Sequence, residues 1–168
     1  MDRKILALLQ QDCTLPIAEL ARRVGLSQTP CWKRVQRLEV TGVVERRVAL
    51  LSPERVGVPL TVFVAVETAD HSPDWLDRFA AAVSAMPEVM EAHRMAGDVD
   101  YMLRVAVADM AAYDRFYKRL IASVSIKNVS SRFSMERIKS TTALPLAGDG
   151  SSPAALPQRP GIPTRPAP

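Results

Sequence analysis

No stretch of the 168-residue chain is long and apolar enough to span a bilayer, which takes about 20 consecutive apolar residues. A secretory signal is missing too, because the apolar run from Ile5 to Leu9 is short and polar residues follow it at once. The chain is therefore expected in the cytoplasm, with no membrane partner. Cysteine is scarce: Cys13 and Cys31 are the only two, too few for a disulfide framework or a metal cluster, and they read as reduced thiols. His71 and His93 lie far apart, with no cysteine or carboxylate near them at the spacing of a metal site. Nothing resembles a nucleophile elbow or a phosphate-cradling glycine loop. No internal repeat is visible. These absences lead us to expect a protein that is not an enzyme and uses no cofactor or metal.

What is present is a confined excess of positive charge. Ten Lys/Arg stand against six Asp/Glu in residues 1–57, ten against eleven in 58–147, and two against one in the tail. The excess therefore sits in the first third, as expected if that segment meets a polyanion. Three segments follow: a basic first domain over 1–57, a second folded domain over 58–147, and a tail over 148–168. The tail holds six of the thirteen prolines and almost nothing to bury, and it reads as disordered.

Residues 2–12 show helical spacing, with Ile5, Leu6, Leu8 and Leu9 inward and Asp2 as N-cap. Pro16 opens a second helix whose stripe is Ile17, Leu20, Ala21 and Val24, and Gly25 ends it in a left-handed conformation. Leu26 plugs the turn and Ser27 caps a third helix, where Pro30 is tolerated because first-turn amides lack helical partners. Helix, glycine turn, helix is the helix-turn-helix arrangement. Gly42 closes the third helix. Residues 43–51 are β-rich and carry Arg46 and Arg47, as a wing or linker strand would.

At 100 degrees per residue, Cys31, Val35 and Leu38 share one face of the third helix. Thr29, Lys33, Gln36 and Arg37 point the opposite way, with Gln28 and Trp32 on one flank and Arg34 on the other. Such a face carries the amide, hydroxyl and cationic donors that reach base edges and phosphates in a major groove. Proline and serine at its start leave first-turn amides, beginning beside Ser27, free to approach a phosphate. A basic outward face is usually only a solvated surface. Here the preceding glycine-turn helix and the confined charge favour double-stranded DNA.

Residues 58–147 read as βαββαβ: strands at 61–66, 89–95, 101–107 and 129–138, and helices at 73–86 and 110–124. That is the ferredoxin-like α+β sandwich, with helices on one face of an antiparallel sheet. No third layer remains to cover the other face, so dimerisation through it is the simplest solution. Met90, Met95, Met102 and Met110 read first as core or interface filler. GDVDY, from Gly97 to Tyr101, needs no ligand to explain it: Gly97 permits an unusual backbone angle and Asp98 can stabilise a hairpin.

The runs DRKILALLQQD, IAELARRVGLSQTPCWKRVQRLEVTGVV, LSPERVG, MAGDVDYMLRV and KSTTALPL resemble the leucine-responsive/AsnC (Lrp/AsnC) family of prokaryotic transcription regulators, from Asp2 to about Leu146. Within the family the chain looks most like the branch that responds to small amino acids such as cysteine. The resemblance implies a winged helix-turn-helix joined to a ferredoxin-like domain of the dimeric α+β barrel type. It also implies self-association as a dimer that can build up to an octamer, and a small amino-acid effector at the dimer interface. Carried over, Met95, Gly97, Asp98, Asp100 and Tyr101 would contribute to that pocket, with Asp100 attracting an α-ammonium group. Ser130 and Ser131 of the last strand would face it, and Arg132 is a chemically reasonable carboxylate partner. SVSIKN, residues 123–128, stands where the family's usual Pro-Gly turn would lie.

Two rival classes are open. A small dimeric α+β barrel enzyme or ligand-binding protein with an attached nucleic-acid-binding domain would need an acid–base pair converging on the sheet, and none is evident. An RNA-recognition module would need exposed aromatics on its central strands, where Val105 and Val107 stand instead.

Overall fold

The computed structural model describes residues 1–146, so the proline-rich tail lies outside the described residues. The chain divides into two compact units. One takes Met1–Arg47 together with the segment from Thr141, and the other takes Val48–Ser140. Among the described residues no helix is long and apolar enough to cross a membrane.

The first unit holds α1 (Asp2–Gln11), α2 (Ile17–Val24) and α3 (Gln28–Val40). Their stripes meet in a core of Ile5, Leu20, Ala21, Val24, Cys31, Val35 and Leu38, with Leu26 packed against it. The turn between α2 and α3 shows why the glycine is there. Gly25 sits at φ 72°, a left-handed conformation that costs other residues roughly 1–2 kcal/mol. The Leu26 amide donates to the Ala21 carbonyl at 2.9 Å and the Gly25 amide to that of Arg22 at 3.3 Å, the Schellman pattern with its apolar follower half-buried against the core.

Three expectations need correction here. Asp2 is the first helical residue and Met1 the cap, because the Asp2 carboxylate is drawn across to α3. Residues 43–51 form no strand, since no other described segment pairs with them and a strand exists only through its ladder. Arg47 instead donates to the Cys13 carbonyl at 3.2 Å. Finally, the last strand stops at Phe133 rather than running to 138. Its partner strand starts at Leu60, and the ladder is used up once the Ser134 amide has donated to Thr61.

The second unit runs β1 (Leu60–Glu67), α4 (Pro73–Ser84), β2 (Val89–Arg94), β3 (Tyr101–Val107), α5 (Met110–Ser123) and β4 (Asn128–Phe133). The strands form one antiparallel sheet in the order β2-β3-β1-β4, the ferredoxin-like topology. Val62, Val64 and Val66 of β1 and Tyr101, Leu103, Val105 and Val107 of β3 bury themselves with Trp75, Phe79, Phe116 and Leu120 of the helices. Both helices are capped by side chains: Ser72 Oγ accepts from the Trp75 amide, and Asp109 Oδ1 from the Ala112 amide. The Trp75 indole donates to the Ser125 carbonyl at 2.7 Å, fixing the segment between α5 and β4. Alternation along the strands then puts Phe63, Ala65, Met102, Arg104, Ser130 and Arg132 on the face away from the helices. Phe63 is 40% exposed there.

The three-helix core is small, so each member counts. Leu20 is fully buried, and Leu20→Ala should cost about 2–5 kcal/mol. Urea denaturation followed by circular dichroism measures this directly. A loss below about 1 kcal/mol would contradict the packing described.

Candidate DNA-reading helix and effector turn

α3 presents two faces of different chemistry. Cys31, Val35 and Leu38 are buried, and burial pushes the Cys31 thiol pKa up, which keeps it a small packing group. Gln28, Thr29, Trp32, Lys33, Gln36 and Arg37 are exposed, and Arg34 is half-buried. Ser27 is the cap by backbone conformation, but its hydroxyl makes no capping bond, so first-turn amides remain available. The spacing thus placed every expected DNA-facing side chain of α3 away from the core.

Not all of these cations are bare. Arg34 Nη1 lies 2.9 Å from Asp2 Oδ1, and Arg37 Nη2 bonds the other oxygen, Oδ2, of the same carboxylate. Arg47 pairs with Glu39 at 2.7 Å, and the Gln36 amide also donates to Glu39. On α2, Glu19 accepts from Arg22 and from Arg23, and those bonds lower its pKa to about 2. Among the described residues, Lys33 and Arg46 make no ion pair. The pairing of Asp2 was missed from sequence, because it joins side chains 32 and 35 positions apart. Its one visible trace was a lone acid opposite two arginines three residues apart.

The turn between β2 and β3 is closed by the Met95 amide, which donates to the Asp100 carbonyl at 2.8 Å. Gly97 takes φ 124° there. The brace expected of Asp98 falls to the other acid of the turn. Asp100, rather than Asp98, braces the structure: its Oδ2 accepts from the Thr68 amide at 2.8 Å. Its Oδ1 stands 3.9 Å from His71 Nδ1, a residue that sequence reasoning had set aside. Asp98 is exposed.

Other expected pocket members disperse. Tyr101 is buried, its ring 5.5 Å from Trp75 and 4.7 Å from Phe79, so it is a core residue. Ser131 faces the helices and bonds the Tyr113 hydroxyl. Ser130 and Arg132 take the open face. Arg132 pairs with Phe63, which pairs with Arg104 of β3. That is two strands across and four residues along from Asp100, about 16 Å at ordinary strand spacings. Within one chain the arginine and the acidic turn are separate.

On the two central strands the open-face positions include Met102, Arg104 and Ala106 of β3 and Phe63 and Ala65 of β1, so Phe63 is the single exposed aromatic there. Val105 and Val107 lie on the covered face. Among the described residues no group of three or more His, Cys, Asp or Glu could hold a metal.

Comparison with known proteins gives a consistent outcome. The AsnC-type helix-turn-helix domain matches residues 1–39 and the Lrp/AsnC ligand binding domain matches residues 61–144. The DNA-binding transcriptional activator DecR of Escherichia coli (strain K12) is 55% identical over 147 residues, covering 87% of this chain and 97% of DecR. The crystal structure of an AsnC family transcriptional regulator from Agrobacterium tumefaciens superposes with a TM-score of 0.83 at 60% identity, over 86% of this chain and 94% of that one. A transcriptional regulator from Neisseria meningitidis, solved as a complex with L-methionine, does so with a TM-score of 0.81 at 38% identity, over 86% and 94%.

Proposed function

This chain belongs to the Lrp/AsnC family of transcriptional regulators, and from that premise we propose how its residues divide the work. It is a DNA-binding regulator with a helix-turn-helix domain and an amino-acid-binding domain. In our reading residues 1–57 contact DNA and 58–147 hold the effector and the self-association surface.

The observation that carries the DNA reading is the two-faced α3. Its core stripe leaves Gln28, Thr29, Lys33 and Gln36 directed outward, a donor and acceptor set suited to major-groove edges. First-turn amides beside Ser27 meet a phosphate, Trp32 packs along the sugar edge, and Arg46 adds a backbone contact. Lys33→Ala should weaken specific binding by about 1–3 kcal/mol if Lys33 meets a base, or flatten the salt dependence by about one phosphate if it does not. Thermal stability should hardly move, since the side chain is exposed. Gel-shift titrations at several salt concentrations decide it, and unchanged binding at all of them would overturn the assignment.

The effector is a small amino acid, as the L-methionine complex of the Neisseria relative supports. We place its α-ammonium group against Asp100 Oδ1, the oxygen not taken by the Thr68 amide, with Met95, Gly97 and Asp98 lining the turn. Because Arg132 stands far from Asp100 within one chain, a carboxylate partner of that kind would have to come from a second copy. A thermal-shift screen of the amino acids, starting from cysteine and methionine, identifies the ligand. Binding at a hundred times the dissociation constant stabilises by about 2.7 kcal/mol. Asp100→Asn should then lower effector affinity at least tenfold by calorimetry. Equal affinity would return the turn to a purely structural role.

The open sheet face, with Phe63, Ala65 and Met102 amid polar neighbours, is the proposed dimer surface, and assembly up to an octamer builds on it. Pairing two short readers raises apparent DNA affinity by about 10²–10⁴. Light scattering on the intact chain should show at least a dimer at micromolar concentration. A stable monomer would rule the surface out.

A further inference from the structure

We infer that Asp2 is a specificity-determining residue of the DNA-reading helix, acting as a positioning residue on Arg34 and Arg37. The inference rests on the proposal that α3 faces DNA. Both oxygens of one carboxylate are committed, Oδ1 to Arg34 Nη1 at 2.9 Å and Oδ2 to Arg37 Nη2. The two arginines are three residues apart on α3, so they sit on one flank and converge on the single acid, which α1 delivers as its first helical residue.

The arrangement has two consequences. Each guanidinium carries five N–H donors in a rigid plane. Spending one on Asp2 leaves the others to reach a base or phosphate from a fixed direction. Side-chain freedom that would otherwise be lost on binding is already restrained in the free protein. The charge effect runs the other way. Two cations held by one anion present a net charge of one rather than two to the phosphate backbone. Non-specific affinity depends almost wholly on that charge, whereas specific affinity also draws on directed hydrogen bonds. Asp2 therefore lowers binding to arbitrary sequence more than binding to the proper site. Discrimination improves by suppressing the wrong complex.

The exposures allow this role. Arg37 is 59% and Arg34 40% exposed, against 29% for Asp2. The carboxylate is the sheltered member and the guanidiniums reach outward.

The test uses the intact chain, an arbitrary-sequence 30-base-pair duplex, and a duplex selected by the wild type from a random pool. Fluorescence anisotropy is read from 50 to 300 mM KCl. Asp2→Asn should bind the arbitrary duplex at least threefold tighter at 100 mM and steepen its log–log salt slope by about 1–2, one unit per cation released to a phosphate. The ratio of specific to non-specific affinity should fall, and Asp2→Glu should restore most of it. Should Asp2→Asn fail to fold by circular dichroism, Asp2→Ser at the same first-turn position is expected to give the same steepening. A merely structural Asp2 would lower the melting temperature and weaken both duplexes with no steepening, which overturns the inference. Lys33→Ala on the same duplexes separates the two levels. If it flattens the slope while neither Asp2 variant steepens it, the inference alone fails. If it changes nothing, the DNA face is misassigned and the inference falls with it.

Discussion

A helix that reads DNA must give one side to a core and keep the other for the groove, and in α3 three small or branched residues achieve this. Cys31, Val35 and Leu38 bury against Ile5, Leu20, Ala21 and Val24. Cys31, a small side chain, is fully buried there. Because the stripe is narrow, the rest of the circumference is free for exposed polar and cationic groups. The Gly25 turn sets the angle at which α3 leaves α2, and the half-buried Leu26, packed on the core, holds that angle. Gln10 adds a tie from α1 to the returning segment: its side-chain amide bonds both the amide and the carbonyl of Leu144. A unit of fewer than fifty residues in its first segment buries a modest share of its surface, so such ties matter more than they would in a larger domain.

The second unit solves the opposite problem, with ample core on one side of its sheet and none on the other. Trp75, Phe79 and Tyr101 stack in one half of the covered face. Tyr113, Phe116 and Phe133 meet in the other. The far face is neither a bare apolar plane nor a fully solvated one. Phe63 and Met102 stand among Arg104, Glu91 and His93, and Glu91 pairs with both of those basic residues. The bond from Arg104 holds the Glu91 carboxyl below the usual range. Apolar side chains ringed by paired polar ones are the composition on which the proposed assembly face rests.

Periodic features were legible in the sequence and tertiary partnerships were not. The stripes of α1 to α3, the glycine turn and the βαββαβ order are repeats along the chain, so helical and strand periods suffice to find them. The strand expected at 43–51 failed because propensity reports fitness for a ladder and not the presence of a partner. The expectation that Asp98 braces the hairpin failed for a related reason. Either acid could brace a hairpin locally, and the choice is made by the Thr68 amide, which arrives from β1 some thirty residues earlier. Tyr101 was drawn toward the effector turn by its neighbours in sequence. Strand alternation sends its side chain to the helices instead.

Charge illustrates the same limit at the scale of the unit. A basic first third is the footprint of a polyanion binder, but formal charge is not what a phosphate backbone meets. Asp2, Glu19 and Glu39 hold five arginines between them, and the ion pairs are exposed enough to exchange partners. Such pairs contribute little to stability, typically about 0–1 kcal/mol each, so folding energy is a poor reason for so many. Their stronger effect is on the free protein's field, which they reduce without removing a single donor. A phosphate replacing the carboxylate recovers the charge only where geometry brings it within reach. That makes the attraction conditional on docking, whereas an unpaired cation such as Lys33 pulls on any DNA it encounters. On the DNA face proposed for α3, paired arginines and a bare lysine would thus separate recognition in place from attraction at a distance.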